Sequence, residues 1–383
     1  MRGNPRCGAI PAATRTPMAY FLFVLFAVPL IAMTALPVSR LRHWWVRGCD
    51  FPRLQIALGL AVALLWYAAW SRAGDAPSPL WGGALLASLA WQIRWIWPYS
   101  EMHAQEVHTA TPGEVRDDPS LRVITSNVLM DNRDASRLIA HVEREAPDVL
   151  VTLESDAWWQ EQLDALEAYP HRIACPLDNR YGMHLYSRLP LHAPTVDYLV
   201  ESDVPSIGTF VELTDGTRVR LHVVHPSPPS PTENPRSTER DVELLVLARR
   251  LESCTDPTVV TGDLNDVAWS ASTRLFRQRS GLLDPRVGRG MFNTFHAWHW
   301  YLRWPLDHTF VSAHFRLREV RRLTPIGSDH FPVLFDLALG AVRALDSHPD
   351  EKDIDTELEQ ETLDTRVAQQ ATQPTLSVSL APA

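Results

Sequence analysis

The sequence predicts a layered α/β body behind an apolar, helical N-terminal region, and three observations carry that reading. Short runs rich in Val, Leu, Phe and Thr recur between Leu121 and Leu337, bounded by Pro, Gly or Asp as buried strands are. Two stretches among them, Ala135–Glu145 and Thr238–Leu251, repeat apolar residues at helical spacing. Ahead of both lie three long apolar stretches within the first 100 residues. With 383 residues, 45% hydrophobic and 21% charged, the chain has material for a sizeable core, which excludes wholesale disorder.

The N-terminal elements come first. Met18–Val38 is uncharged and about long enough to cross a ~30 Å hydrocarbon core. Leu54–Trp70 is a second candidate span. Leu80–Trp97 is a third and less apolar one, whose Gln92 and Arg94 must snorkel from its end. Eight of the fourteen Trp fall in this region, at Trp44, Trp45, Trp66, Trp70, Trp81, Trp91, Trp95 and Trp97, where amphipathic rings anchor spans at the two interfaces. A cleaved signal peptide is the competing reading, but the first run is too long for one and two more follow. Residues 1–100 are therefore expected to be a membrane region with spans at 18–38, 54–70 and 80–97. The lipid bilayer is its partner, as in a multi-pass protein of a bacterial inner membrane. Flanking arginines hardly orient it: Arg2, Arg6, Arg15 and Arg72 face one side, Arg40, Arg42, Arg47, Arg53 and Arg94 the other. The rule that the first span dominates puts the N-terminus in the cytoplasm and the body outside.

Residues 101–120 read as a linker. The expected strands of the body, 121–338, are 122–128, 148–154, 183–189, 219–225, 258–264, 307–313 and 331–337, and about 220 residues fits one α/β domain. From 340 to 383 few large apolar residues remain among acidic, Thr and Gln residues, so a disordered acidic tail is expected.

Charge narrows the function. The net charge of −9 combines +7 in the first hundred residues with −6 after residue 340, which leaves −10 for residues 101–340; the single Lys, Lys352, is in the tail. That balance argues against a high-affinity, sequence-indifferent nucleic-acid binder, which needs a basic footprint, and suits a domain that gathers divalent cations. The four cysteines are too scattered for a disulfide framework or a zinc site. Cys175 and Cys254 are the pair available for a bridge, which nothing in the sequence requires.

Nearly every strand of the body ends in a carboxylate, Asn or His where its apolar residues stop. Asn127, Glu154, His225, Asp263 with Asn265, Asp307, and Asp329 with His330 all stand at such ends. Singly, each has an ordinary reading as turn former or helix cap. Together they mark one rim, because strand ends of a layered sheet converge where sites are built. Carboxylate and amide oxygens are ligands for a hard ion such as Mg²⁺, and Asn and His offer donors to phosphate oxygens.

The ordered series SN (126–127), DVLVTLE (148–154), GMHLYSRLPL (182–191), HVVHPSPP (222–229), GDLND (262–266), LDH (306–308) and GSDHFPV (327–333) resembles the endonuclease/exonuclease/phosphatase superfamily of metal-dependent phosphoesterases. The resemblance covers roughly Leu121–Leu337. It implies a four-layer α/β sandwich, two sheets face to face with helices outside, and hydrolysis of a phosphate ester with Mg²⁺ or Mn²⁺ at the sheet rim. It also implies that Glu154 is the principal metal ligand, with Asn127 nearby and Asp329 completing the metal side or its hydrogen bonds. Asp263 would align or deprotonate the attacking water, Asn265 would hold a phosphate oxygen, and His330, oriented by Asp307, would stabilise charge on the phosphoryl group. His225 matches a position where phosphatase-like and sphingomyelinase-like members carry His.

The chain departs from the family pattern in two places. Leu129 stands where many nucleases have an acidic residue, with Asp131 further on, and His308 stands where an aromatic is common. Arg236 and Arg240, beside the Pro-rich loop that follows His225, are candidate phosphate-binding residues; a solvated loop and helix start is the alternative. The expected function is that of a membrane-anchored, metal-dependent phosphoesterase. Its substrate would be a lipid, a small phosphoester or nucleic acid, with charge disfavouring long duplex DNA. The alternatives are a catalytically inactive, membrane-tethered binding scaffold of the same fold, or a nuclease acting on DNA or RNA. A small transporter is excluded, because the three spans hold only Arg94 as a charge.

Overall fold

A computed structural model describes residues 15–74, 77–110, 119–340 and 356–372, and the chain divides into two compact units. The first comprises the described residues up to Leu41 and those from Trp45 to Trp97. Its helices are α1 (Arg15–Ala35), continued by a 3-10 turn to Ser39, the single turn α2 (Trp44–Arg47), α3 (Arg53–Arg72) and α4 (Pro79–Ile96). Ser78 caps α4, with Pro79 at its first position. Phe23 of α1 lies edge-on to Trp66, Trp70 and Trp81, at 5.6, 6.0 and 5.4 Å between centroids. Gln92 accepts from Arg53 (3.0 Å) and donates to Thr34 (2.8 Å), which links α3 and α4 to α1 through buried polar groups. Among the described residues two helices are long and apolar enough to cross a membrane, Pro17–Ser39 and Arg53–Arg72. The third expected span is a helix, α4, but does not meet that measure.

The second unit holds Arg42–Trp44 and the described residues from Pro98 onward. Strands β1 (Ser120–Asn127), β2 (Val149–Leu153), β3 (His171–Cys175), β4 (Met183–Ser187), β10 (Phe315–Arg322) and β11 (Val333–Leu339) form a six-stranded sheet in the order β10-β11-β1-β2-β4-β3. Strands β5 (Leu191–Asp197), β6 (Ser206–Glu212), β7 (Arg218–Val223), β8 (Thr258–Asp263) and β9 (Asp307–Val311) form a five-stranded sheet in sequence order. In each sheet one pair is parallel, β1 with β2 and β7 with β8, and the other pairings are antiparallel. Parallel pairs need a crossover, here α5 (Ser136–Glu145) and α7 (Thr238–Leu251); α6 (Ala157–Leu163) and α8 (Ala271–Ser280) complete the outer layers.

Strand alternation makes the layers. Val123, Val149, Val151, Leu221, Val223 and Val259 share one core between the sheets. Their neighbours Ile124 and Leu150 turn outward onto Leu138 and Val142 of α5 and Trp159 of α6, while Val260 and Phe310 turn onto Leu244 and Leu247 of α7 and Phe276 of α8. Each fully buried aliphatic side chain contributes about 1.5–3 kcal/mol. The result is the four-layer sandwich that the resemblance implied.

Two expectations change. Part of the linker is bound into the body: Gly288 N–H donates to the Pro98 carbonyl (2.8 Å), Ala110 N–H to Leu317 (2.9 Å), and Glu106 pairs with Arg277. Residues 111–118 lie outside the described residues. The tail, expected to be disordered, carries a helix, α9 (Thr356–Thr372). Leu358 packs on Leu245 and Leu275, and the buried Glu359 accepts from Arg249 and Arg279 (both 2.8 Å). Ion pairs with the basic last turns of α7 and α8 replace the apolar burial that this segment lacks; residues 341–355 and 373–383 lie outside the described residues. Cys175 and Cys254 are both free thiols.

Candidate active site at the facing sheet edges

Both parallel pairs deliver their carboxyl ends to one place. Thr125 of β1 and Thr261 of β8 join the sheets through a hydroxyl contact of 2.7 Å, and Thr309 of β9 extends the chain by 2.8 Å. Two residues further along, Asn127 ends β1 and Asp263 ends β8, with the Asn127 amide donating to Asp263 Oδ2 at 3.1 Å and to Glu154 Oε1 at 2.8 Å. Glu154 follows β2 directly with φ 55°, a left-handed residue that turns the chain at the rim. Gly262 lets β8 run close to its neighbour, since at φ +152° a Cβ there would lie 1.8 Å from the Val224 carbonyl oxygen.

His330 stands opposite. Its Nδ1 donates to Asp307 Oδ2 (2.7 Å), and its Nε2 lies 3.4 Å from Asp263 Oδ2. The Ser328 hydroxyl fixes this corner, accepting from His330 N–H (2.9 Å) and donating to the Asn127 carbonyl (2.8 Å). Asp307 is held from behind: its N–H donates to Thr294 Oγ1 (3.1 Å) and its carbonyl accepts from the buried Arg286 (3.2 Å). His225 follows β7 with Nε2 3.9 Å from Asp263 and its ring 5.5 Å from that of Tyr181.

Burial and charge set the protonation states. Burial alone would favour a neutral His330, but the Asp307 and Asp263 carboxylates outweigh it and push the imidazole up to about 10, so it is a cation at neutral pH. Burial pushes Glu154 up to about 7, against its hydrogen bond from Asn127, and raises Asp263 as well. Burial lowers His225.

Most of the expected residues meet here. Asn265 N–H donates to Asp263 Oδ1 (2.9 Å), and its amide is anchored on the Pro226 carbonyl at 3.0 Å. Asp329 is half-buried and its charge acts on both Glu154 and His330. The two arginines differ from each other. Arg240 is 1% exposed, paired with Asp241 (3.0 Å) and Asp266 (3.2 Å), and donates to the Asn265 carbonyl at 2.8 Å. It is framework beneath Asn265 and offers no charge to solvent. Arg236 is exposed on the Pro-rich loop. His308 is internal, bonded to the Asp266 carbonyl (2.9 Å) and Arg286 (2.7 Å), and burial with Arg286 pushes it down to about 3. Sequence reasoning missed Arg286 and Tyr181; Ser328 lay inside the quoted GSDH without a role.

The donor set fits a hard cation. Asp263, Asp307 and His330 bring one ligand atom each within 4.8 Å of one another, but His330 Nδ1 is engaged by Asp307. Glu154 Oε2 and Asp307 Oδ1 are buried with no hydrogen-bond partner. Two orphaned carboxylate oxygens are costly unless a cation satisfies them.

Residues 124–330 match the Endonuclease/Exonuclease/phosphatase family. No curated protein matches the chain. Solved structures similar to it include an endonuclease/exonuclease/phosphatase from Beutenbergia cavernae, with 20% identity, TM-score 0.46, 58% of this chain and 72% of that one covered. Others are the human Nocturnin catalytic domain with bound sulfate (18%, TM-score 0.47, 57% and 94%) and a family protein from Bacteroides thetaiotaomicron (19%, TM-score 0.47, 58% and 96%). Matched over more than half its length, the chain belongs to the endonuclease/exonuclease/phosphatase family.

Proposed function

We propose that the protein is a membrane-anchored, divalent-metal-dependent phosphoesterase that hydrolyses its substrate by in-line attack of water. The observation that carries this is the junction of Asn127, Glu154, Asp263, Asp307 and His330 from both sheets in one buried network that keeps two carboxylate oxygens unpartnered. Asp263, with one oxygen fixed by the Asn265 N–H, orients the attacking water and takes its proton. His330, a cation locked by Asp307, stabilises the charge that builds on the phosphoryl oxygens, and the Asn265 and His225 side chains orient the phosphate. Glu154, with Asn127 and Asp329 beside it, would hold Mg²⁺ or Mn²⁺, which supplies charge neutralisation at the phosphate oxygens when bound.

The test is hydrolysis of bis(4-nitrophenyl) phosphate by the full chain in detergent, with Mg²⁺ or Mn²⁺ and then with EDTA. Activity that survives EDTA overturns the metal, and no activity under any divalent ion leaves the inactive scaffold. The full chain is used because part of the second unit, Arg42–Trp44, lies in sequence between the helices of the first.

The same reading makes α4 a third span. Trp44 N–H donates to the Pro235 carbonyl (3.0 Å), Ser237 N–H to the Arg42 carbonyl (2.8 Å), and Arg42 pairs with Asp241. Three crossings before Pro98 would put the body on the side of the membrane opposite the N-terminus. By the first-span rule that side is outside. A C-terminal reporter active only outside the cytoplasm should be active; its silence reverses the orientation.

A further inference from the structure

The loop His296–Trp304, sequence HAWHWYLRW, has no part in the chemistry above. It exposes Trp298, Trp300 and Tyr301 by 57%, 78% and 55%. Large aromatics standing this far into water on consecutive turns of one loop mark a contact surface.

The loop is also fastened to the site. Ala297 N–H donates to the Asp329 carbonyl at 2.6 Å, Phe331 N–H donates to the Thr294 carbonyl at 2.9 Å, and the Phe295 ring lies 5.0 Å from the ring of His330. Arg303 is turned inward, donating to the carbonyls of His296 (3.4 Å) and Ala297 (3.1 Å) with its guanidinium 4.9 Å over the Phe331 ring. Whatever covers Trp298, Trp300 and Tyr301 is thus held beside His330.

Two chemistries use exposed aromatic rings in this way. Stacking of nucleic-acid bases works together with a basic groove that follows the backbone, yet the loop's arginine is spent on its own carbonyls and residues 101–340 sum to −10. The headgroup level of a bilayer takes Trp and Tyr rings with their apolar bodies toward the acyl chains, and it disfavours carboxylates. From Val287 to Leu306 the sequence has no Asp or Glu, in a chain with 45 of them, and its described residues include two helices long and apolar enough to cross a membrane.

We propose that the loop His296–Trp304 docks into the lipid–water interface, so that the active site takes a phosphate ester carried at the headgroup level of a bilayer. This rests on the phosphoesterase reading and names its substrate class.

The test uses the full chain in nanodiscs of phosphatidylcholine with phosphatidylglycerol. Cys7, Cys49, Cys175 and Cys254 are changed to Ser, and an environment-sensitive NBD label is carried on Trp300→Cys or, as a control on an exposed turn, Asp215→Cys. The label at 300 should emit at shorter wavelength and be quenched by acyl-chain-brominated lipid, while the label at 215 reports water. Water-like emission at both positions overturns the docking. A response at 300 to single-stranded oligodeoxynucleotide, with none to brominated lipid, overturns it in favour of base stacking. For substrate class, the Trp298→Ala/Trp300→Ala chain is offered mixed phosphatidylcholine, phosphatidylethanolamine, phosphatidylglycerol and phosphatidic acid vesicles alongside bis(4-nitrophenyl) phosphate. Its ratio of lipid to soluble-substrate turnover should fall about tenfold or more, as misorientation of a substrate does. An unchanged ratio, or no lipid hydrolysis by the wild type, overturns the substrate class. Failure on the soluble diester and on every lipid removes the phosphoesterase reading and leaves the label measurement standing.

Discussion

The strand–helix–strand units β1–α5–β2 and β7–α7–β8 share one parallel pairing but end in different chemistry. The first ends in Asn127 and Glu154, the second in His225 and Asp263. Both carboxyls are pushed up by burial, but of the two only Glu154 keeps a buried oxygen without a partner, while Asp263 accepts from Asn265 and Asn127 and pairs with His330. On the proposed function, repeating one scaffold unit in two facing sheets yields one pole that would hold a cation and one whose hydrogen bonds would serve proton transfer. Asn127, with one amide hydrogen on each carboxylate, spans the two.

The largest effects should fall on the second pole. Asp263→Asn and His330→Ala should each lower kcat about 10²–10⁴-fold, the usual weight of a proton-transfer or electrostatic group. Steady-state rates at saturating Mg²⁺ check this. If Asp263→Asn instead shifts the Mg²⁺ requirement and leaves saturated turnover intact, the poles are assigned the wrong way round.

Arg240 divides framework from rim. Arg240→Met removes the buried cation that Asp266 and Asp241 share, and loss of one partner of a buried pair costs about 3–5 kcal/mol, to be read as a large fall in Tm. A phosphate-binding Arg240 would raise KM and leave Tm alone. At the first pole, Glu154→Gln replaces a charged donor with an amide. It should raise the Mg²⁺ concentration for half-maximal rate roughly 10–100-fold, a range typical of perturbed metal sites, and rate should return at high Mg²⁺. A kcat loss that no metal concentration restores would place Glu154 among the proton-transfer groups.

These assignments were unevenly legible in the sequence. The rim was readable because an apolar run that stops at Asn127, Glu154 or Asp263 is a local signal, and α7 was readable to the residue because Leu244, Leu247 and Leu251 repeat with the helix period. Arg240 was misplaced although the same period puts it one turn before Leu244, on the buried face; the adjacent Pro-rich loop suggested surface. Strand β5, LHAPTVD, lies mostly exposed at the edge of its sheet and has no apolar run to announce it. Arg286 was invisible for a different reason. Its partners Asp307 and His308 are more than twenty residues away in sequence, and only the fold brings them together.

The smallest expected effect concerns a feature that the second unit has and the first lacks among the described residues. Helix α9 is clamped on α7 and α8 through Glu359, whose partners Arg249 and Arg279 hold its carboxyl below the ordinary 4.5 despite burial. A depressed carboxyl stabilises the fold fully above its unfolded value and loses that contribution as pH falls through the folded one, so the clamp should loosen only below about pH 4.5. Arg249 is 47% exposed, which screens the pair, and Glu359→Gln should cost only about 1 kcal/mol. Hydrogen exchange over 356–372 should rise in that variant while exchange in β1 and β8 stays constant. Turnover should also be unchanged, because α9 packs on the outer helices and the site lies at the inner edges of the sheets. If Glu359→Gln lowers kcat at neutral pH, the tail reaches the second pole through α7 and Arg240, and the two units differ in control as well as in chemistry.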